Sequence, residues 1–231
     1  MKENALRLRQ ALSESHELAS RFDEPDFPLD ELELLQDWQR QRLATSYKAL
    51  ISQERYQAAG KFFLDELYGG LHFRERDQEM ERVLPIMVRM LRDDMLLALA
   101  EAFELQSLSL TLDMKMTAYL KNFGWNGLDV DRYGALYRAC GHAQERETQI
   151  ELIRRLGLEL NELVHHRLVL LLIRTVRGPA RAAGFGLVQT FLEQGLTAFR
   201  EMGDGTEFIN TIWRKESEVM QRLLAGDENP F

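Results

Sequence analysis

The sequence predicts an all-α fold, an irregular multi-helix bundle of roughly nine to eleven helices with no sheet. Three observations carry this. Apolar residues recur at three- and four-residue steps nearly everywhere, the spacing that puts them on one helix face. Leu, Glu, Arg, Ala and Gln dominate, and these are good helix formers. Only five prolines and fifteen glycines occur in 231 residues, too few for the many tight turns of a β-sandwich.

The elements follow in order. Ala5, Leu8, Leu12, Ala19 and Phe22 mark a first helix, and FDEPDFPLDE after it reads as a loop. Pro28 suits the first turn of a second helix, with Asp30 and Glu31 favourable at its positive end. That helix carries Leu35, Trp38, Leu43, Tyr47 and Leu50 on one side and is expected to end near Ser52. A third runs from about Glu54 to Tyr68 through Ala59, Phe62, Phe63 and Leu67, and Gly69-Gly70 offers the left-handed stop it needs.

Met80, Val83, Leu84, Met87, Val88 and Leu91 form a regular stripe interrupted by Pro85, which kinks or divides it. Leu105, Leu108, Leu112, Met116 and Tyr119 follow, then Tyr133, Leu136, Tyr137 and Cys140, with Asp129 as N-cap between them. Ile150, Ile153, Leu156, Leu160, Leu163 and Val164 make the next stripe. A break is expected at Gly178-Pro179. Val188, Phe191, Leu192, Gly195, Leu196, Phe199 and Met202 mark another helix. GDGT separates it from a final one through Phe208, Ile209, Ile212, Trp213, Val219, Met220, Leu223 and Leu224, and AGDENPF reads as a frayed tail. Residues 1–52 read as a loosely attached helical pair, and 53–231 as the main domain.

Composition bounds function. The chain is 45% apolar and 29% charged, a balance that allows a sizeable core. Its net charge of −8 argues against general nucleic-acid binding, which needs clustered Lys and Arg. The single cysteine, Cys140, forms no intramolecular disulfide, so nothing ties the fold to an oxidising compartment. The first 22 residues lack the apolar stretch of a signal peptide. The longest apolar run, Leu168–Ile173, is far short of the roughly 20 residues that span a bilayer; it is also the one place where a strand is conceivable, without a partner strand. A cytoplasmic location and no membrane span are expected.

Chemical motifs are sparse. His16-Glu17 lacks the second histidine of a zinc helix. Glu162-x-x-His165 has the spacing of a di-iron helix, but such a bundle needs a second copy and two further glutamates; His142-x-x-Glu145 runs in the reverse order. Cys140 lies on an apolar stripe and reads as a buried structural thiol. No phosphate-binding loop or dinucleotide fingerprint occurs. No metal site and no cofactor are predicted.

Two clusters remain as ligand or anion candidates. His72, Arg74, Arg76 and Asp77 stand beside the Gly69-Gly70 turn, where the simpler reading is a packed helical corner with exposed ion pairs. His165 and His166 precede Arg177 and Arg181. If a helix starts at Pro179, its free N–H groups and these two arginines could converge on an anion; pairing with nearby glutamates is the simpler reading.

FFLDELYGGLHFRERDQEMERVLP resembles a family of uncharacterised bacterial all-helical proteins marked by F-F-L-x-x-L-Y-G, F-x-x-R-D and R-V-x-P. RGPARAAGFGLVQTFLEQGLTAFREM is similar to a later G-P-A-R and F-L-E-x-G element of the same family. The likeness runs from about Arg55 to Glu216, departs from the pattern at Gly70, and implies no catalytic residue. The leading expectation is a non-enzymatic protein acting through association, as a homo-oligomer or with a protein partner. The alternative is a sensor or carrier holding haem, a fatty acid or a similar molecule among Phe62, Phe63, Phe185, Phe191 and Phe199, where His142, His165 or His166 could serve haem. An enzyme built on the histidine clusters ranks last, because no arrangement specifies a reaction.

Overall fold

The structure, a computed structural model, describes residues 3–64, 91–166 and 186–231, with the single positions 82, 84, 85, 88, 89, 175, 177 and 178 between them. Among the described residues are nine α-helices, one 3-10 turn and no strand, the all-α bundle that the helical periodicity predicts. The helices are α1 (Glu3–Ser20), α2 (Leu29–Ser46), α3 (Lys48–Ile51), α4 (Glu54–Phe62), α5 (Asp93–Phe123), α6 (Val130–Cys140), α7 (Ala143–Leu163), α8 (Gly186–Met202) and α9 (Thr206–Ala225). The Gly69-Gly70 helix stop, Met80, Val83 and Met87, the Leu168–Ile173 run and the break at Pro179 lie outside the described residues.

Local chemistry sets several of the boundaries. Asp129 accepts a bond from the Arg132 N–H at 2.8 Å and so starts α6 as its N-cap. Gly124 ends α5 in the left-handed region, at φ 64°. Gly226 does the same for α9, where the Asp227 N–H reaches back to the Arg222 carbonyl at 3.0 Å and closes a Schellman turn. One expected boundary moves. The second helix does not run to Ser52: it stops at Ser46, and a separate turn, α3, follows. Tyr47, between them, leaves helical geometry and sends its hydroxyl to Glu216 of α9 at 2.7 Å. A contact made across the fold outweighs local helix continuation.

The centre of the bundle is α5, with 31 residues. α1 lies along its first half, and α2, α6 and α7 pack against the rest. Elsewhere α4 packs on α8, and α9 on α6 and α7. Three apolar clusters fill the interior. Leu8, Leu12, Leu96 and Phe103 join α1 to α5. Leu35, Met116, Leu120, Tyr133, Leu136 and Leu223 join α2, α5, α6 and α9. Phe62, Leu196, Phe199, Phe208 and Ile212 join α4, α8 and α9.

The α5 stripe differs in part from its expected form. Leu112 and Met116 are buried, but Leu105 and Leu108 are only half-buried and Tyr119 is exposed. Because α5 has neighbours on several sides, its buried set also includes Leu96, Phe103, Met114 and Leu120. By length and composition alone, α5 would be long and apolar enough to cross a membrane. In the bundle it is the helix on which α1, α2, α6 and α7 pack.

The tail is also corrected. Residues 226–231 are not frayed: Arg222 donates Nε to Asp227 Oδ2 at 3.0 Å and also bonds the Asn229 carbonyl, Pro230 is buried, and Phe231 packs against Trp38 and Tyr133. One aromatic side chain with a place on the core is enough to hold an otherwise polar segment.

Candidate functional site

Three of the residues predicted from sequence as ligand candidates are described. His165 and His166 form the turn that closes α7, their backbone N–H groups bonding the carbonyls of Glu162 and Leu163, and both side chains are exposed. Arg177 donates Nε and Nη2 to the two oxygens of Glu193 on α8, at 2.6 and 2.5 Å, and Gln189 Nε2 approaches the same carboxylate at 2.8 Å. That twin bond raises the Arg177 pKa and commits its fork to a protein carboxylate. His72, Arg74, Arg76, Asp77 and Arg181 lie outside the described residues.

The densest polar chemistry is elsewhere and joins residues far apart in sequence. Glu101 of α5 is buried; Arg155 of α7 donates Nε to its Oε2 at 3.1 Å, and Arg7 of α1 lies 3.5 Å from its Oε1. Arg7 also forks onto Glu104 at 2.6 and 2.7 Å. Three helices are thereby tied by one charged group. Glu159, one turn from Arg155, has its carboxyl raised above the usual range by burial and then by Glu101.

A second network pins α2 to α9. Arg42 donates Nη1 and Nη2 to Glu216 at 2.6 and 2.9 Å, with side chains only 11% and 14% exposed, and the Tyr47 hydroxyl shares the same carboxylate. A third surrounds Arg146 of α7. Its guanidinium stacks 4.0 Å from the centre of the Tyr137 ring and donates to Met116 Sδ at 2.8 Å, while its buried Nε has no hydrogen-bond partner among the described residues. Nearby, Asp113 accepts from the Gln36 and Gln39 amides, both at 3.1 Å; burial raises its pKa, and those two bonds and Arg146 oppose the rise.

These environments bear on three groups that could otherwise act as nucleophiles. Burial pushes the Cys140 thiol up, despite Arg146 beside it, and pushes the Tyr133 and Tyr137 phenols up as well. At neutral pH all three stay protonated, and a protonated thiol is a poor nucleophile. His142, at the start of α7 with φ 63°, places Nδ1 2.9 Å from Glu145 Oε1. No group of three or more metal-ligating side chains occurs among the described residues.

What the surface does offer is aromatic. Tyr119 is 39% and Phe123 45% exposed, one helical turn apart at the end of α5. Phe123 stacks on Trp125 at 4.6 Å and 24°, and Arg132 covers the other ring of that pair at 5.6 Å. Val130 is exposed near them in sequence. A shallow groove beside Trp125 is edged by Asp30, Glu31 and Lys121. No single feature of the sequence separated Phe123 from the core aromatics, because the same residue types serve both purposes.

Fold and surface together define an all-helical bundle tied by buried ion pairs, with exposed aromatic rings at the end of its central helix. The chain belongs to the family of a domain of unknown function, DUF8198, whose model matches residues 19–230. The match takes in α2 and α3, ahead of the stretch from Arg55 that carries the resemblance seen in the sequence. No curated protein and no solved structure matches the chain.

Proposed function

We propose that this is a non-enzymatic cytoplasmic protein of bacteria that works by association, first with a second copy of itself, through the aromatic end of α5. The observation that carries this reading is the exposure of Tyr119 and Phe123 side by side, with Phe123 stacked on Trp125. Aromatic rings are enriched in the buried centres of interfaces because each removes a large apolar area from water with few rotatable bonds.

The carrier alternative has less to favour it. Phe62 and Phe191 are tilted on each other at 5.4 Å, and Phe62 and Phe199 are both buried in one apolar cluster. Rings used this way fill the core rather than line a cavity.

Size-exclusion chromatography with light scattering tests the proposal on the native chain and on the double variant Tyr119→Ser, Phe123→Ser. The expected result is a native mass above that of one chain at high micromolar concentration, falling to a monomer in the variant with an unchanged circular dichroism spectrum. A native chain that stays monomeric at that concentration overturns self-association.

A further inference from the structure

A groove of about 420 Å³ runs between the second half of α1 and the middle of α5. α1 contributes Glu14, Glu17 and Leu18, and α5 contributes Ser107, Leu108 and Thr111. Both sets follow the three- and four-residue steps of one helix face, so the pairing of the two helices itself makes the groove. That pairing is held by polar contacts. Arg7 forks onto Glu104 at 2.6 and 2.7 Å, and Gln106 donates Nε2 to the Ser15 hydroxyl at 2.9 Å. The walls are therefore in place without a ligand.

The charges along the groove do not cancel. Glu104 at its edge is matched by Arg7, and Arg21 leans on Glu24 at 3.4 Å. Glu14 takes only the uncharged Gln10 amide, at 3.0 Å, and Glu17 offers its backbone carbonyl to the Ser20 hydroxyl, at 2.7 Å. Neither carboxylate forms an ion pair among the described residues. Such carboxylates alone point to no ligand, but Ser107 does. It is 8% exposed, lines the groove, and its buried Oγ has no hydrogen-bond partner among the described residues. The hydroxyls of Thr45, Thr148 and Thr190 each bond the carbonyl four residues back, the ordinary refuge of a hydroxyl on a helix. Ser107 leaves that bond unmade. A buried hydroxyl without a partner is costly, and a donor seated in the groove removes the cost.

We propose that the α1–α5 groove binds an aliphatic polyamine, a chain of methylenes bearing two or more ammonium groups. An ammonium has three donors and no acceptor, which suits two carboxylates and a hydroxyl that lacks a donor. Its charges stand against Glu14 and Glu17, one N–H goes to Ser107 Oγ, and its methylenes lie on Leu18 and Leu108, both half-buried. A compact inorganic cation would leave those two leucines unused, and the carboxylates repel an anion. The volume falls within the range of small-molecule sites. The groove is formed without Tyr119 or Phe123, so the proposal does not depend on self-association.

Isothermal titration calorimetry of spermidine into the full-length chain tests this, at about 0.15 M salt, where diffuse attraction is screened. The expected result is one saturable site per chain. Glu17→Gln is expected to weaken it about tenfold, the loss of one charge-assisted hydrogen bond, and Ser107→Ala about threefold. Both variants are expected to keep the native circular dichroism spectrum, since Glu17 is exposed and Ser107→Ala removes only a hydroxyl. Glu147→Gln makes the same charge change on an exposed residue of α7 and is expected to bind spermidine as the native chain does. Absence of saturable binding overturns the proposal. Equal weakening by Glu17→Gln and Glu147→Gln overturns it in favour of diffuse counterion attraction to an acidic chain. Native affinity in both Glu17→Gln and Ser107→Ala places spermidine outside the groove. Displacement of spermidine by an equal concentration of Mg²⁺ overturns the polyamine as the occupant.

Discussion

Phe62 occupies the space that a side chain at Gly195 would need: a Cβ there would fall 2.7 Å from the tip of the Phe62 ring. That ring is buried and leans on Phe191 at 5.4 Å, so it has little room to move. Gly195→Ala gains about 1 kcal/mol of helix propensity but forces repacking worth about 1–3 kcal/mol. A lowered denaturant midpoint is expected. Gly157 on α7 is the control: a Cβ there meets Ile209 Cγ1 and Cγ2 at 3.2 Å, a contact that a shift of a few tenths of an ångström would relieve. Gly157→Ala is expected to stay within about 0.5 kcal/mol of native. Equal midpoints for the two variants would show that the Phe62 contact does not constrain α8.

The Arg42–Glu216 pair joins residues 174 apart in sequence, and both side chains are largely buried. Glu216→Ala removes the partner of both guanidinium bonds and of the Tyr47 hydroxyl, and the expected cost is about 3–5 kcal/mol in chemical denaturation. The exposed pair Arg40–Asp37 at 3.2 Å gives the contrast, since Asp37→Ala is expected to change stability by under about 1 kcal/mol. If both substitutions cost the same, burial of the α2–α9 pair is energetically irrelevant.

Two carboxylates respond to pH with opposite sign. Asp204 accepts bonds from the Thr206 hydroxyl and N–H, at 2.6 and 3.0 Å, which lower its pKa below the ordinary 3.8. Its contribution is therefore present above that value and is lost as pH falls through the lowered folded-state pKa. Asp204→Asn is expected to melt below the native protein at neutral pH, and the gap is expected to close in acid. Asp113, raised chiefly by burial, does the reverse: folding favours its protonated form, so its penalty appears as pH rises from 3.8 through the folded-state value. Asp113→Asn is expected to flatten the loss of stability across that window. Melting temperatures measured from acid to neutral pH check both; parallel curves for all three proteins would remove the assignment.

Cys140 is buried, and burial holds its thiol protonated. A thiol reagent at neutral pH is expected to label it only on the timescale of unfolding, and at once in denaturant. Rapid stoichiometric labelling of the native chain would place the sulfur at the surface instead.

The sequence by itself determined the helices. Capping at Asp129, the left-handed stop at Gly124 and the apolar stripes of α6 and α9 are local matters, settled by residues within a turn or two of each other. It also made Cys140 a core residue, because that cysteine shares a face with Tyr133, Leu136 and Tyr137. Tertiary structure decided what each face meets. Leu105 and Tyr119 fit the periodicity of α5 as well as Leu112 does, yet only Leu112 is buried, because burial depends on where α1, α2, α6 and α7 come to rest. Glu101, Arg146 and Glu216 look like ordinary surface charges in the sequence and become interior ties only when distant helices bring partners to them. Phe231 reads as the end of a polar tail until Trp38 and Tyr133, almost a hundred residues apart, stack to receive it. Helix formation is written in neighbours three and four residues away, whereas these sites depend on which faces pack together.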